Sequence, residues 1–346
     1  MLTRSTSFVL LAAALTSALL LGGGGSAVSA AHGSTVVSGR TCAEIQKAID
    51  RLPSSGGEVR LRPTTYTCST SVVIDRDDVT LRGSGSSTVL RLADHANRPV
   101  LIVGQTVAVP TTIRARVQIV DLSIDGNRAQ QDFECSAGPC TATDFLRNNG
   151  ISLRRVEDVL IEHVTVRDAR SGGLVPELGS RRVTVRDFTT FGNAFDGIAA
   201  YQTEDSRFTG LYLHDNDGAG MSLDIDFNNN IVEGGVLAGN KDVGIFMRDS
   251  ADNLFQGLQI RDSGSFGMFL AQVDTDTTKP AAGNTFVGFV ISRSGQNPAK
   301  GGAPMRVNDA SCVDNLVVGA QFVDNREPGI SQPFPGLVHE VGTIVR

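Results

Sequence analysis

Between residues 149 and 272 the apolar and polar positions of the chain recur with a nearly fixed step. A glycine stands at Gly150, Gly173, Gly197, Gly220, Gly244 and Gly267, at spacings of 23, 24, 23, 24 and 23 residues. Apolar residues follow one and three places later: Ile151 and Leu153, Leu174 and Pro176, Ile198 and Ala200, Met221 and Leu223, Ile245 and Met247, Met268 and Leu270. Alternation with a period of two turns one set of side chains inward and the other outward, so each glycine predicts the start of a short strand. A second apolar segment follows in each repeat, at 159–166, 183–188, 208–213, 231–237 and 254–260. Asn193, Asn216 and Asn240, continued by Ser263, Ser294 and Asn325, form a polar ladder in the same register and suit turns.

A repeat of this length made of short strands and turns cannot bury its own apolar face and must stack on its neighbours. The expected fold class is therefore all-β, a parallel β-solenoid with three strands per turn. A leucine-rich repeat overlaps this length, but its asparagine and leucine spacing is absent and no helix alternates with the strands.

Residues 1–30 carry Arg4, an apolar run from Phe8 to Leu21, a glycine stretch and a small-residue cleavage site at Val28-Ser29-Ala30. This is the pattern of a secretory signal, too short and too interrupted for a membrane span. The mature chain, 31–346, is expected to be exported as a single domain, with an N-terminal cap over 41–58 and rungs over 59–340. In the cap, Thr41 and Glu44 make a capping box; Ile45, Ala48, Ile49 and Leu52 share one helix face before Pro53 stops it. The helix is expected to cover the open end of the solenoid, ahead of strands at 59–61, 72–74 and 79–81.

Five cysteines in an exported chain allow disulfides. Sequence does not fix their pairing; the expected bridges are Cys42 with Cys68 and Cys135 with Cys140, leaving Cys312 as a structural thiol. The net charge of -6 and the lack of a basic cluster exclude nucleic acid as the expected partner.

The helix, the Gly56-Gly57 turn, Tyr66-Thr67, the Val79-Thr80-Leu81-Arg82-Gly83 strand and Asp125-Gly126-Asn127 together resemble the start of secreted proteins of the pectate lyase superfamily. The resemblance spans most of the mature chain and implies a right-handed parallel β-helix. It implies no single reaction, since the superfamily holds polysaccharide lyases, uronate epimerases, glycoside hydrolases and proteins with no known chemistry. The Asp-Pro-His-Asp of mannuronan epimerases and the Gly-His-Gly and Arg-Ile-Lys of polygalacturonases are absent from this chain. Catalytic residues are therefore not carried over from those families.

The candidate site comes instead from the outward column four places after each glycine: Arg154, Glu177, Tyr201, Asp224 and Arg248, with Asp226 two places further on. At about 4.8 Å per rung these form a strip roughly 20 Å long. The insertions at 126–148 and 273–283 both border its sheet, where function tends to gather. For lysis or epimerisation of a uronate, Arg154 and Arg248 would neutralise the sugar carboxylate and lower the phenol pKa of Tyr201, which would take the proton. Glu177, Asp224 and Asp226 sit awkwardly beside a polyanion unless calcium bridges protein and sugar, with Asp224 and Asp226 as its ligands. No organic cofactor is expected.

Two other classes stay open. In an inverting hydrolase Glu177 and Asp224 would be acid and base, their backbones about 9.6 Å apart over two rungs. In a non-catalytic carbohydrate-binding solenoid the strip would be rich in aromatic platforms, which only Tyr201, Phe246 and Phe269 approach. Asp196, just before Gly197, borders the strip as a further catalytic candidate. His163 and His214 lie in the second apolar segments, off the strip. The preferred expectation is a secreted enzyme acting on a polysaccharide or oligosaccharide, by lysis or epimerisation ahead of hydrolysis.

Overall fold

The computed structural model describes residues 33–132, 134, 145–274 and 276–346. The expected signal segment, residues 1–30, and the expected bridge between Cys135 and Cys140 fall outside the described residues. The glycine-led strands pair in parallel, each with its counterpart one repeat on: Ile151 opposite Leu174, Leu174 opposite Ile198, Ile198 opposite Met221, Met221 opposite Ile245, and Ile245 opposite Met268. The sheet continues through Val72–Ile74 and Leu101–Val103 at one end and Met305–Val307 and Ile330–Ser331 at the other.

The second apolar segments form long parallel strands, among them Leu160–Arg167, Arg207–His214, Ile231–Ala238 and Leu254–Arg261. Each bends at one residue with positive φ: His163, Gly210, Gly234 and Gly257. In other rungs the bend separates the halves altogether, as in Thr184–Arg186 and Thr189–Phe191 around Asp187, or Thr285–Val287 and Val290–Ser292 around Gly288. A third, short sheet of Arg114–Ala115, Val156–Glu157, Ser180–Arg181 and Thr203–Glu204 links the glycine-led strands to the long ones, so the turns in this part of the chain contribute to three sheets, as the repeat predicts.

The inward column Ile151, Leu174, Ile198, Met221, Ile245 and Met268 is wholly buried. Its glycines are required for space, not for a left-handed backbone. A Cβ on Gly244 would lie 2.4 Å from Ile260 Cγ2 and 2.5 Å from the Gly267 carbonyl oxygen; one on Gly150 would lie 2.2 Å from Val166 Cγ1. The glycine is where the glycine-led strand passes closest to the long-strand wall.

The polar ladder is internal. Asn193 Nδ2 donates to Asn216 Oδ1 at 2.8 Å, and Asn216 Nδ2 to Asn240 Oδ1 at 2.9 Å, with all three side chains buried. Each amide thus satisfies a neighbour that could not reach water. A second ladder, absent from the sequence reading, runs Asn230, Asn253, Asn284, Asn315 with links of 3.1, 2.9 and 3.0 Å. Its spacings of 23, 31 and 31 residues straddle an insertion, which hides the period.

The helix forms over Cys42–Asp50. Glu44 Oε2 accepts from the Thr41 backbone N–H at 3.1 Å and hydroxyl at 2.8 Å, closing the capping interaction. Cys42, Ile45, Ala48, Ile49 and Leu52 are buried against the first rungs, and Cys42 is bridged to Cys68 across a Cα separation of 4.7 Å. Asp125 is buried and accepts from Arg91 and Arg167, so Asp125-Gly126-Asn127 braces the start of the 126–148 insertion. Cys312 is unbridged and buried, which raises its thiol pKa and leaves it structural. Among the described residues no helix is long and apolar enough to cross a membrane.

Gly244→Ala should cost about 1–3 kcal/mol in urea unfolding, because the added methyl meets backbone that cannot give way. Ile198→Asp should not fold to a cooperatively melting protein, since it buries an unpaired charge among apolar rungs. A stable, soluble Ile198→Asp protein would overturn the register.

Candidate functional site

The structure stacks the expected outward column: Arg154 lies opposite Glu177, Tyr201 opposite Asp224, and Asp224 opposite Arg248. It changes what several of these residues can do. The Arg154 side chain is 3% exposed. Its Nε donates to Glu177 Oε1 at 3.0 Å, and its remaining nitrogens donate to the carbonyls of Gln105, Val107 and Ala108. Arg154 therefore fastens the loop after Leu101–Val103 to the sheet, with four of its five N–H donors committed inside the protein. Arg248 grips Asp224 through two bonds, Nε to Oδ1 at 2.9 Å and Nη2 to Oδ2 at 2.7 Å. The two arginines expected to neutralise a sugar carboxylate are thus both neutralised internally, a correction to the sequence reading.

A cleft of about 220 Å³ opens over the rungs of Glu177 and Tyr201, and Arg147, Asn149, Asp196, Glu177 and Tyr201 all line it. Asp196 takes its place from the turn before Gly197, where its Oδ1 accepts from the Ala219 backbone N–H at 2.7 Å. Burial raises its pKa to about 6 in spite of that bond. Burial, reinforced by the Asp196 charge, pushes the Tyr201 phenol up to about 12. The expected lowering of the phenol by two arginines is therefore reversed. Burial also raises Glu177, against the opposing pull of Arg154.

Arg147 is the residue that sequence reasoning missed. It is exposed at the mouth of the cleft and forms no ion pair among the described residues, yet its charge favours the ionised forms of Asp196, Tyr201 and Glu177. It belongs to the insertion before Gly150, outside the repeat, so no register pointed to it. The only signal was that the insertion enters the glycine-led sheet.

The second insertion also borders the strip, as expected: Asp276–Pro280 adds antiparallel to Met268–Val273. From it Lys279 Nζ reaches Asp249 at 3.2 Å and Asp226 at 3.6 Å. The proposed calcium ligands therefore each face a cation, Asp224 facing Arg248 and Asp226 facing Lys279. Among the described residues no group of three or more His, Cys, Asp or Glu side chains is placed to hold a metal. The residues present do not fit a ready-made calcium site, and a bridging cation would have to displace both basic side chains. His163 sits between Asp121 and Asp187 at the bend of the long strands, and His214 stacks between Phe191 and Tyr212, both away from the cleft.

Residues 149–302 match the family model for a right handed beta helix region. The chain is a right-handed parallel β-helix protein. Its sequence is 28% identical over 189 residues to mannuronan C5-epimerase AlgE4 of Azotobacter vinelandii, covering 52% of this chain and 33% of that protein. Across the curated relatives it matches, the chain spans between 10% and 33% of their length. The A-module of AlgE4 superposes with a TM-score of 0.61 at 17% identity, covering 87% of this chain and 90% of that one. Endo-xylogalacturonan hydrolase from Aspergillus tubingensis superposes at 0.64 with 12% identity, over 90% and 92% of the two chains. Pectate lyase Pel9A gives 0.59 at 12% identity, over 84% and 72%. The β-helix is thus one on which epimerases, lyases and hydrolases of polysaccharides are built.

Because Asp196 holds its proton more tightly folded than unfolded, the stability it contributes is present below its ordinary value of 3.8 and is lost as pH rises through about 6. Asp196→Asn keeps an acceptor for Ala219 and removes the buried charge. It should raise the unfolding free energy at pH 7.5 by about 1–3 kcal/mol, and the gain should fade as pH falls towards 4. Urea titrations of both proteins at the two pH values check this; equal stability at pH 7.5 would mean that Asp196 is not desolvated.

Proposed function

We propose that this β-helix is a secreted polysaccharide lyase or C5-epimerase acting on a uronate-containing polysaccharide. One observation carries the reading: a single cleft holds a carboxyl at about 6, a phenol at about 12 and an uncommitted guanidinium. Two groups whose environments push them towards opposite proton roles, beside a free cation, suit removal of a proton next to a carboxylate. Likeness to a mannuronan C5-epimerase in sequence and to a pectate lyase in fold supports the same class. The pattern of residues 1–30 and the Cys42–Cys68 bridge support export to an oxidising compartment.

In this reading Arg147 pairs with the sugar carboxylate, which acidifies the adjacent C5–H bond. Asp196, ionised above pH 6, takes that proton, and the electron pair moves into the carboxylate as an enolate. Tyr201 then delivers the phenolic proton. Given to C5 from the opposite face, it inverts that centre. Given to the glycosidic oxygen as the bond at C4 breaks, it completes an elimination and leaves a C4=C5 double bond. In both cases the phenolate is reprotonated from Asp196 or water. No step runs through a metal. Inverting hydrolysis by Glu177 and Asp224 would first require both to leave Arg154 and Arg248.

Purified protein would be incubated with alginate, pectate, glycosaminoglycans and neutral glycans. The products to follow are unsaturated uronate by ultraviolet absorbance, C5 deuterium uptake from heavy water, and new reducing ends. Asp196→Asn and Tyr201→Phe should each lower kcat on the order of 10²- to 10⁴-fold, with Glu177→Gln costing less. Turnover should rise as pH passes about 6, the value set for Asp196 by burial. Reducing ends without unsaturated uronate, lost in Glu177→Gln and kept in Tyr201→Phe, would assign a hydrolase instead. Binding without any turnover would assign a non-catalytic carbohydrate-binding solenoid.

A further inference from the structure

The outer face of the glycine-led sheet carries a second column, two places after each glycine. Val175 and Ala199 of this column line the cleft. Beyond them the register runs Ser222 opposite Phe246, Phe246 opposite Phe269, and Phe269 opposite Arg306. The outward surface thus changes along one line from the cleft to a pair of aromatic rings and then to a cation.

The Phe246 and Phe269 rings are almost parallel, with centroids 5.6 Å apart and 7° between planes. Phe266 backs Phe269 with a centroid separation of 5.7 Å. Gly301 presses against Phe266 from the far side, where a Cβ would come within 2.0 Å of Cζ. These contacts hold the rings in place around a hollow of about 340 Å³, rimmed by Asp242 and Lys300. Lys300 is paired with Asp242 at 2.7 Å, so its charge is spent. Arg306 differs: its Nη1 donates to Ser331 Oγ at 2.7 Å, and it forms no ion pair among the described residues. Half-buried aromatic rings beside an uncommitted guanidinium, in line with a cleft, are matched to an amphipathic ring bearing an anionic group.

We infer that Phe246, Phe269 and Arg306 form a distal subsite for an acidic sugar unit of the polysaccharide whose reacting unit occupies the cleft. The sugar ring lies against the phenylalanines and its carboxylate meets Arg306. At about 4.8 Å per rung, Phe246 stands roughly 10 Å and Arg306 roughly 19 Å along the axis from Tyr201. An oligosaccharide reaching the subsite must therefore extend several units past the cleft. This assignment rests on the proposed action at the cleft and adds a requirement for length and charge to it.

The test uses calorimetry on the Asp196→Asn protein, in which substrate is not consumed, with alginate and polygalacturonate oligosaccharides of increasing length and a neutral glycan of matching length. Affinity for an acidic ligand should rise with length until the distal subsite is filled. Phe246→Leu and Phe269→Leu, made in that background and checked by melting temperature, should weaken long ligands roughly three- to tenfold. Arg306→Gln should weaken them about tenfold, with Arg306→Lys restoring part of the loss. Short ligands confined to the cleft should be unaffected by all of these. Unchanged affinity of Arg306→Gln and Phe269→Leu for long acidic ligands, in a protein that still turns them over without the Asp196 change, overturns the subsite and spares the proposed activity. Failure of every version to bind any acidic oligosaccharide overturns both.

Discussion

The six successive rungs from Gly150 to Gly267 depend on a contact in which nothing but hydrogen fits. Where the chain turns into the glycine-led strand, its backbone lies against the long-strand wall and the glycine carbonyl of the next rung, at distances that leave no room for a Cβ. Around that contact the buried asparagine amides bond from rung to rung, so the corners that carry no apolar core are still satisfied. The repeat length follows, because each turn must bring one glycine and one amide back to the same corners.

Stacking in register also explains why most charges on the outer face are spent. Residues one repeat apart are neighbours across a rung, so an acid and a base at the same phase find each other. Arg154 with Glu177, Arg248 with Asp224, Arg181 with Glu157 and Arg186 with Glu162 are all such pairs. Pairing of this kind organises the surface, and it also withdraws these groups from chemistry. Arg147 and Arg306, which form no ion pair among the described residues, stand out for that reason.

The cleft arises where regular and irregular chain meet. Asp196 and Tyr201 come from the repeat, held by the turn before Gly197 and by the strand after it. Arg147 comes from the insertion just ahead of Gly150. The rigid rungs fix two of the three groups and the insertion supplies the third, while burial drives the carboxyl and the phenol upwards together. Fold neighbours named as an epimerase, a hydrolase and a lyase share the stacked scaffold.

Much of this was legible in the amino-acid order, because a solenoid writes its contacts at a constant separation. The inward column, the glycine corners, the Asn193 ladder and the stacking of Arg154, Glu177, Tyr201, Asp224 and Arg248 follow from the period, and the capping helix from its Thr41 and Glu44 box and its apolar face. The Asn230 ladder escaped because an insertion breaks its step. What only the tertiary structure decided is the state of each group within the strip. Whether an arginine is free depends on partners outside its own register, as with Arg154 and the carbonyls of the loop after Leu101–Val103. The burial that raises Asp196 and Tyr201 is likewise set by chain folded over them from other rungs. Periodicity fixes which side chains are neighbours along the axis; desolvation and charge depend on everything that surrounds them, and that is a property of the folded surface.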